Sequence, residues 1–249
     1  MAGTAVRGRL TWQVAAVGSV TDETATVRTI ELDVPDWPGH RAGQHLDVRL
    51  TAEDGYVAER SYSIASAPGE PVALTVERLD DGEVSPYLTE ELRAGDEIEI
   101  RGPIGGYFVW DGGSDAGPVL LAAGGSGVVP FRSILRHRAR IGSPAPMRLL
   151  YSARSLADVI YRAELDQETS GVEVVYTLTR QPPPDWTGHT GRVDARLLGE
   201  VAWPAGDGTT AYVCGPTAFV ESVAGELVRL GYQPARVKTE RFGGMGESQ

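Results

Sequence analysis

The sequence predicts an antiparallel β-barrel or sandwich followed by an α/β unit built on a parallel sheet. Two observations carry this. Up to about residue 110, short runs of β-forming residues alternate with Gly, Pro and Asp turn signals; beyond about residue 118, five apolar runs alternate with segments of helical period. Between them, Trp110-Asp111-Gly112-Gly113-Ser114-Asp115-Ala116-Gly117-Pro118 is turn-forming and sets the boundary, giving domains over 1–113 and 114–249.

In the first domain the β-type runs are 12–17, 24–32, 44–50, 61–65, 72–78 and 97–101. One short helix interrupts them at 85–92. Ser85 stands where an N-cap serine is expected, and Pro86 takes the first helical position, where its missing N–H costs little. In the second domain strands are expected at 119–123, 148–152, 172–178, 211–214 and 236–239, with helices at 129–140, 158–168, 193–198 and 217–230. Phe219, Val223, Leu227 and Leu230 form one apolar stripe on the last helix. Such alternation places helices on both faces of a five-stranded parallel sheet.

Two segments have the make-up of anion cradles. Arg60-Ser61-Tyr62-Ser63 puts a cation, an aromatic ring and a hydroxyl on a strand-like run. Those groups can hold a flavin phosphate, cover an isoalloxazine ring and touch its reactive nitrogen. Gly82-Glu83-Val84-Ser85 starts the short helix, whose exposed N–H groups and dipole add to the charge of Arg60. The second cradle is Gly124-Gly125-Ser126-Gly127-Val128-Val129-Pro130, which leaves an apolar strand and enters a helix. Its backbone N–H groups can approach a pyrophosphate, although its spacing is not G-x-G-x-x-G. Two cradles in two structural settings predict two nucleotide cofactors with electrons passing between them. Cys214 ends a predicted parallel strand, on the side where open α/β sheets bind ligands. As a residue type it reads equally as a small buried hydrophobe.

Composition bounds the rest. The 249 residues suffice for two cores, and no apolar run is long enough to cross a bilayer. The N-terminal residues Met1 to Arg9 lack the apolar core of a signal peptide, so a cytoplasmic protein is expected. A net charge of -11 argues against binding nucleic acid or an anionic membrane. A single cysteine excludes a four-cysteine iron–sulfur cluster within these residues, so electrons leaving a flavin must pass to a separate molecule. His40, His45, His137 and His189 show no metal-ligand spacing; no metal is expected, and their roles read as structural or solvated.

The ordered motifs, together with Gly102-Pro103-Ile104-Gly105-Gly106-Tyr107-Phe108 and Cys214-Gly215-Pro216, resemble the ferredoxin–NADP reductase superfamily from about residue 10 to the C-terminus. The resemblance implies a six-stranded antiparallel flavin barrel, then a nucleotide-binding α/β domain. It implies FAD, with Arg60 on its phosphate, Ser61 beside it, Tyr62 packed on the ring and Ser63 near N5. Gly82, Val84 and Ser85 would contact the phosphate region. Gly124, Gly125, Ser126 and Gly127 would cradle the pyridine nucleotide, with Cys214, Gly215 and Pro216 beside the nicotinamide. Thr239-Glu240-Arg241-Phe242 resembles the family's C-terminal end, an acidic residue two positions before a flavin-stacking aromatic, except that Gly243 to Gln249 follow. Arg154 with Ser155, Arg180 and Arg192 resemble the arginines that grip NADP, which favours NADPH, with NADH the alternative.

The resulting expectation is a monomeric FAD-dependent NAD(P)H reductase with Ser63, Cys214 and Glu240 at the reacting centre. It would pass single electrons to a separate ferredoxin, Rieske or haem protein. The alternatives are an NAD(P)H:flavin oxidoreductase using flavin as a diffusible substrate, an electron-transfer subunit of an oxygenase or molybdenum enzyme, and a binding module without turnover.

Overall fold

A computed structural model describes residues 10–112, 117–167, 171–206 and 208–242. Six strands form the first sheet: β1 (Gln13–Thr24), β2 (Val27–Asp33), β3 (His45–Thr51), β4 (Val57–Ser63), β5 (Val72–Glu77) and β6 (Glu97–Ile104). Their order is β4-β3-β6-β1-β2-β5, every neighbour antiparallel. The sheet closes on itself just past β4, where Ile64 bridges Leu74 and the Ala65 N–H donates to the Ala73 carbonyl at 2.7 Å. Alternation decides which side chains enter: Leu46 and Val48, Leu74 and Val76, and Ile98 and Ile100 fill the barrel.

The helical turn Tyr87–Glu91 plugs this barrel with Val84, Leu88 and Leu92, all fully buried. It is wound in the wide π manner, the Leu92 N–H reaching the Tyr87 carbonyl at 3.0 Å. Ser85 does not cap it. Its hydroxyl instead accepts the Leu79 N–H at 3.0 Å, tying the preceding loop to the turn.

The second sheet consists of β7 (Val119–Gly124), β8 (Met147–Ser155), β9 (Val172–Gln181), β10 (His189–Thr190), β11 (Thr210–Pro216) and β12 (Val237–Phe242). Four helices join the strands: α1 (Val129–Arg140), α2 (Arg162–Leu165), α3 (Ala195–Val201) and α4 (Thr217–Arg229). The order is β10-β9-β8-β7-β11-β12, all parallel, so the two-residue β10 extends the five expected strands by one. Every residue of β7 is buried, because helices cover both of its faces. Leu121 and Ala123 pack with Phe131 and Ile134 of α1, while Leu120 and Ala122 pack with Leu197 of α3 and Val220 of α4.

Two helices depart from the sequence pattern. The helix expected at 158–168 is reduced to α2, because Tyr161 takes a left-handed conformation (φ 59°, ψ 25°). That conformation sends its hydroxyl to Thr75 Oγ1 in the barrel, a tertiary contact that outweighs helical continuation; residue 168 lies outside the described residues. At the end of α4, Leu230 is 40 % exposed, and Val220 joins Val223 and Leu227 in the buried stripe. Tyr232 is buried in the same cluster, its hydroxyl donating to the Trp203 carbonyl at 2.7 Å.

The two sheets share one core. Phe108, which follows β6, lies 5.9 Å from the Phe131 ring and 5.2 Å, edge-on, from that of Tyr212 in β11. The Tyr212 hydroxyl donates to the Val109 carbonyl at 2.9 Å, and Ser133 Oγ donates to the Ser66 carbonyl at 2.6 Å. Phe131→Ala should therefore cost about 3–5 kcal/mol by denaturant unfolding. A loss near the ordinary surface value of about 0.5 kcal/mol would show that this ring does not join the units.

Candidate functional site

Several surface grooves have similar volumes, so size does not single out a site. About 430 Å³ lies beside Thr24–Arg28 and about 420 Å³ beside Glu31–Trp37, both on the barrel's outer wall. A third, of about 410 Å³, lies where the two sheets meet and collects the sequence motifs. It is lined by Arg60, Ser61, Tyr62 and Ser63 of β4, by Ser85, by Ser126, and by Arg241 and Phe242 of β12. Thr75, Glu77, Leu79 and Val129 complete the wall.

Each member arrives by a short local argument. β4 ends at Ser63, so its last residues stand at the barrel's rim facing the second sheet. Tyr62 is half-buried there; burial pushes its hydroxyl up to about 12, only partly offset by the Arg60 guanidinium, so it remains neutral. The Ser61 hydroxyl is taken by Asp47 Oδ1 at 2.6 Å. Gly82 has no room for a side chain: a Cβ there would lie 2.7 Å from Ser85 Oγ. The Val84 side chain is in the barrel core, which leaves only its backbone to face a ligand.

The second cluster follows the carboxyl edge of the parallel sheet. From one end of that edge to the other come Arg192 after β10, Arg180 in β9, Arg154 and Ser155 in β8, Gly124 at the end of β7 with Gly125–Gly127 after it, Cys214–Pro216 in β11, and Glu240–Phe242 in β12. The strand order reverses at β7, so the crevice for a ligand falls between β7 and β11, beside the glycine turn. That turn is a tight 3-10 segment, Gly125–Val128, leading directly into α1 with Pro130 in the first turn. Gly125 has a φ of +55°, and a Cβ on Gly127 would lie 2.1 Å from the Cys214 carbonyl oxygen. Only glycine lets these two strand ends meet.

Among the described residues, Arg154, Arg180 and Arg192 are the arginines with neither an ion pair nor a side-chain hydrogen bond. All three are exposed on this edge. Ser155 differs from them, because its hydroxyl donates to Asp158 Oδ2 at 2.6 Å.

Cys214 and Glu240 are direct neighbours across β11 and β12, and Phe242 pairs with Pro216. Cys214 is buried, and burial with the nearby Glu240 carboxylate pushes its thiol well up, so it is a neutral, inert group. Glu240 Oε1 lies 3.6 Å from His45 Nδ1, while Glu240 Oε2 is buried without a hydrogen-bond partner. Such an acceptor costs about 1–3 kcal/mol unless a ligand or water supplies a donor. His45, which reads from sequence as structural or solvated, is therefore at the site, paired in register with Ser63 of β4. Nothing in sequence spacing could have found it, because barrel register sets that pairing. Residues beyond Phe242, where the sequence places a tail, lie outside the described residues.

A closed barrel with Arg60–Ser63 at its rim, seamed to a parallel sheet with a glycine turn at its switch point, is the architecture of a two-nucleotide oxidoreductase. Residues 13–109 match the oxidoreductase FAD-binding domain and residues 121–225 the oxidoreductase NAD-binding domain. The chain is 39% identical over 211 residues to ferredoxin--NADP reductase B of Sorangium cellulosum, covering 81% of this chain and 84% of that protein. It is 31% identical over 233 residues to the glycine betaine monooxygenase reductase subunit of Chromohalobacter salexigens, covering 90% of this chain but only 62% of that relative's length. The flavohem-like FAD/NAD-binding domain of nitric oxide dioxygenase from Vibrio cholerae superposes with a TM-score of 0.82 at 26% identity, over 93% of this chain and 98% of that one. The chain belongs to the ferredoxin–NADP reductase superfamily. No helix among the described residues is long and apolar enough to cross a membrane.

A raised thiol pKa makes a direct prediction. Iodoacetamide at pH 7.5 should leave Cys214 unmodified in the folded protein and alkylate it fully once the chain is unfolded, read by mass spectrometry. Rapid labelling of the native protein would show an exposed or ionised thiol.

Proposed function

We propose that the protein is an FAD-dependent NAD(P)H oxidoreductase that accepts hydride from NADPH and passes single electrons to a separate acceptor protein. The observation that carries this is the convergence of both cradles on one seam. Tyr62 and Phe242, from different sheets, line the same cavity, and Cys214 and Glu240 lie on the adjoining strand ends.

The residues present fit both cofactors. Under this reading Arg60, Ser85 and the backbone of Gly82 and Val84 hold the FAD phosphates, while Ser61, Tyr62 and Phe242 bound the ring. Gly124, Gly125, Ser126 and Gly127 take the nucleotide pyrophosphate on their N–H groups, with Gly215 and Pro216 opposite. Arg154, Arg180 and Arg192 take a 2′-phosphate, with Ser155 beside them; three guanidinium groups without protein partners support NADPH over NADH. When bound, the cofactors supply the hydride transfer and the release of electrons one at a time, and the protein supplies orientation and a dry environment. Ser63 offers a hydroxyl to the flavin ring. Cys214 presents a neutral, apolar edge, and Glu240 Oε2 offers an unused acceptor to a ligand N–H. Phe242 occupies part of the cavity wall, so a nicotinamide reaching the flavin face must displace it.

The acceptor under this reading is a ferredoxin, Rieske or haem protein. The name of the Chromohalobacter relative, a monooxygenase reductase subunit, supports an oxygenase component as one such acceptor. With one buried, unpaired thiol, the protein suits the reducing cytoplasm.

Anaerobic titration tests the proposal. The purified protein should bind FAD, and NADPH should bleach its absorbance more efficiently than NADH. Arg154→Ala should raise the KM for NADPH roughly ten- to a hundredfold, the loss of a charge-assisted contact, and leave NADH nearly unchanged. A wild-type preference for NADH, or equal losses with both nucleotides, would sink the 2′-phosphate assignment. Failure of either nucleotide to reduce bound flavin would sink the activity.

A further inference from the structure

Arg60, the cation of the proposed flavin-phosphate cradle, already has an anionic partner. Its guanidinium donates to Glu83 Oε2 and to the Glu59 carbonyl, the latter at 2.8 Å. Tyr56 holds the other side of the same carboxylate, its hydroxyl donating to Glu83 Oε1. Those two donors, Tyr56 first and Arg60 second, keep the Glu83 carboxyl below its ordinary value, so it is ionised at neutral pH. The arrangement is not required by the barrel: the side chains of Arg60 and Glu83 are 52% and 43% exposed, and exposed pairs contribute little to stability. Nor is it an accident of a loose loop. Gly82 is hemmed in by Ser85 Oγ and the Leu79 carbonyl, and Val84 is anchored in the core, so Glu83 is carried on a fixed backbone.

A phosphate reaching Arg60 must share it with this carboxylate, and the repulsion scales with the charge that the phosphate concentrates there. The phosphomonoester of FMN carries about -1.5 to -2 charges on one phosphorus at pH 7. Each phosphorus of the FAD diphosphate bears a single ionised oxygen and no group that titrates near neutrality. The two flavins share a ring and differ in the charge they bring to Glu83.

We propose that Glu83 is a specificity residue, admitting the diphosphate flavin FAD to the Arg60 cradle and disfavouring the phosphomonoester FMN. This rests on the reading that Arg60 receives a flavin phosphate. No residue of the Arg60–Ser63 motif distinguishes the two flavins; the acidic residue in the neighbouring turn does.

The test is equilibrium binding to flavin-free protein, read by flavin fluorescence, with FAD, FMN and riboflavin as probes. In Glu83→Gln, FMN affinity should rise on the order of tenfold and FAD affinity by no more than about threefold. Riboflavin, which has no phosphate, should bind both proteins equally. Tyr56→Phe removes a hydroxyl donor but keeps the charge, and should shift the FMN-to-FAD ratio less than Glu83→Gln does. Arg60→Ala should weaken both phosphorylated flavins and spare riboflavin. If Arg60→Ala leaves FAD and FMN binding unchanged, the cradle assignment itself fails. If Arg60→Ala weakens both but Glu83→Gln leaves their ratio at the wild-type value, the cradle stands and the specificity proposal is overturned.

Discussion

The packing of Phe108 against Phe131 and Tyr212 is the contact on which the site depends. Each cradle lies on a different sheet, and neither sheet alone encloses the cavity. Phe108 leaves the barrel just after β6 and inserts between α1 and β11, the elements that flank the glycine turn. An aromatic pair contributes about 0.5–1.5 kcal/mol beyond the area it buries, and the hydrogen bonds from Tyr212 and Ser133 fix the angle of approach. With that angle set, the rim of β4 faces the carboxyl edge of the parallel sheet. Tyr62 and Phe242 then share one cavity because they have no freedom to lie apart.

Charge is distributed in a way that composition hides. The net charge is -11, yet arginine is abundant, and most arginines are neutralised locally by carboxylates. Local pairing makes the exceptions informative. Among the described residues the three guanidinium groups without an ion pair or side-chain hydrogen bond stand together on one edge of one sheet, in a molecule of net negative charge. Arg60 has the opposite treatment: its charge is present but already partnered.

Much of this was legible in the sequence, and the part that was not has a physical reason. The strands and α1 follow from periodicity and turn chemistry, because a buried β7 must be apolar throughout and Pro130 must stand in a first helical turn. The glycine turn follows β7 directly, and Arg154 and Arg180 lie in the last residues of β8 and β9, so chain position alone places them at the carboxyl edge of the sheet. His45 was missed because its importance comes from lying opposite Ser63 across a strand pair. Tyr161 broke its helix for a hydroxyl partner 86 positions away in the chain, which no local window contains. Ser85 reads locally as a cap, but its oxygen accepts the Leu79 N–H from the preceding loop.

Glu240 shows how such competition is resolved where β12 meets the barrel. Strand β12 could have placed an apolar residue beside Cys214, and the buried surroundings favour one. A carboxylate there pushes the thiol further toward its neutral form and leaves one of its own oxygens without a donor. The first costs nothing at neutral pH, where a thiol is already protonated; the second costs about 1–3 kcal/mol unless a donor reaches Oε2. Under the proposed function a ligand N–H would supply that donor. The unpartnered oxygen lies at the seam of the two sheets, on the same carboxylate whose other oxygen faces His45 of the barrel.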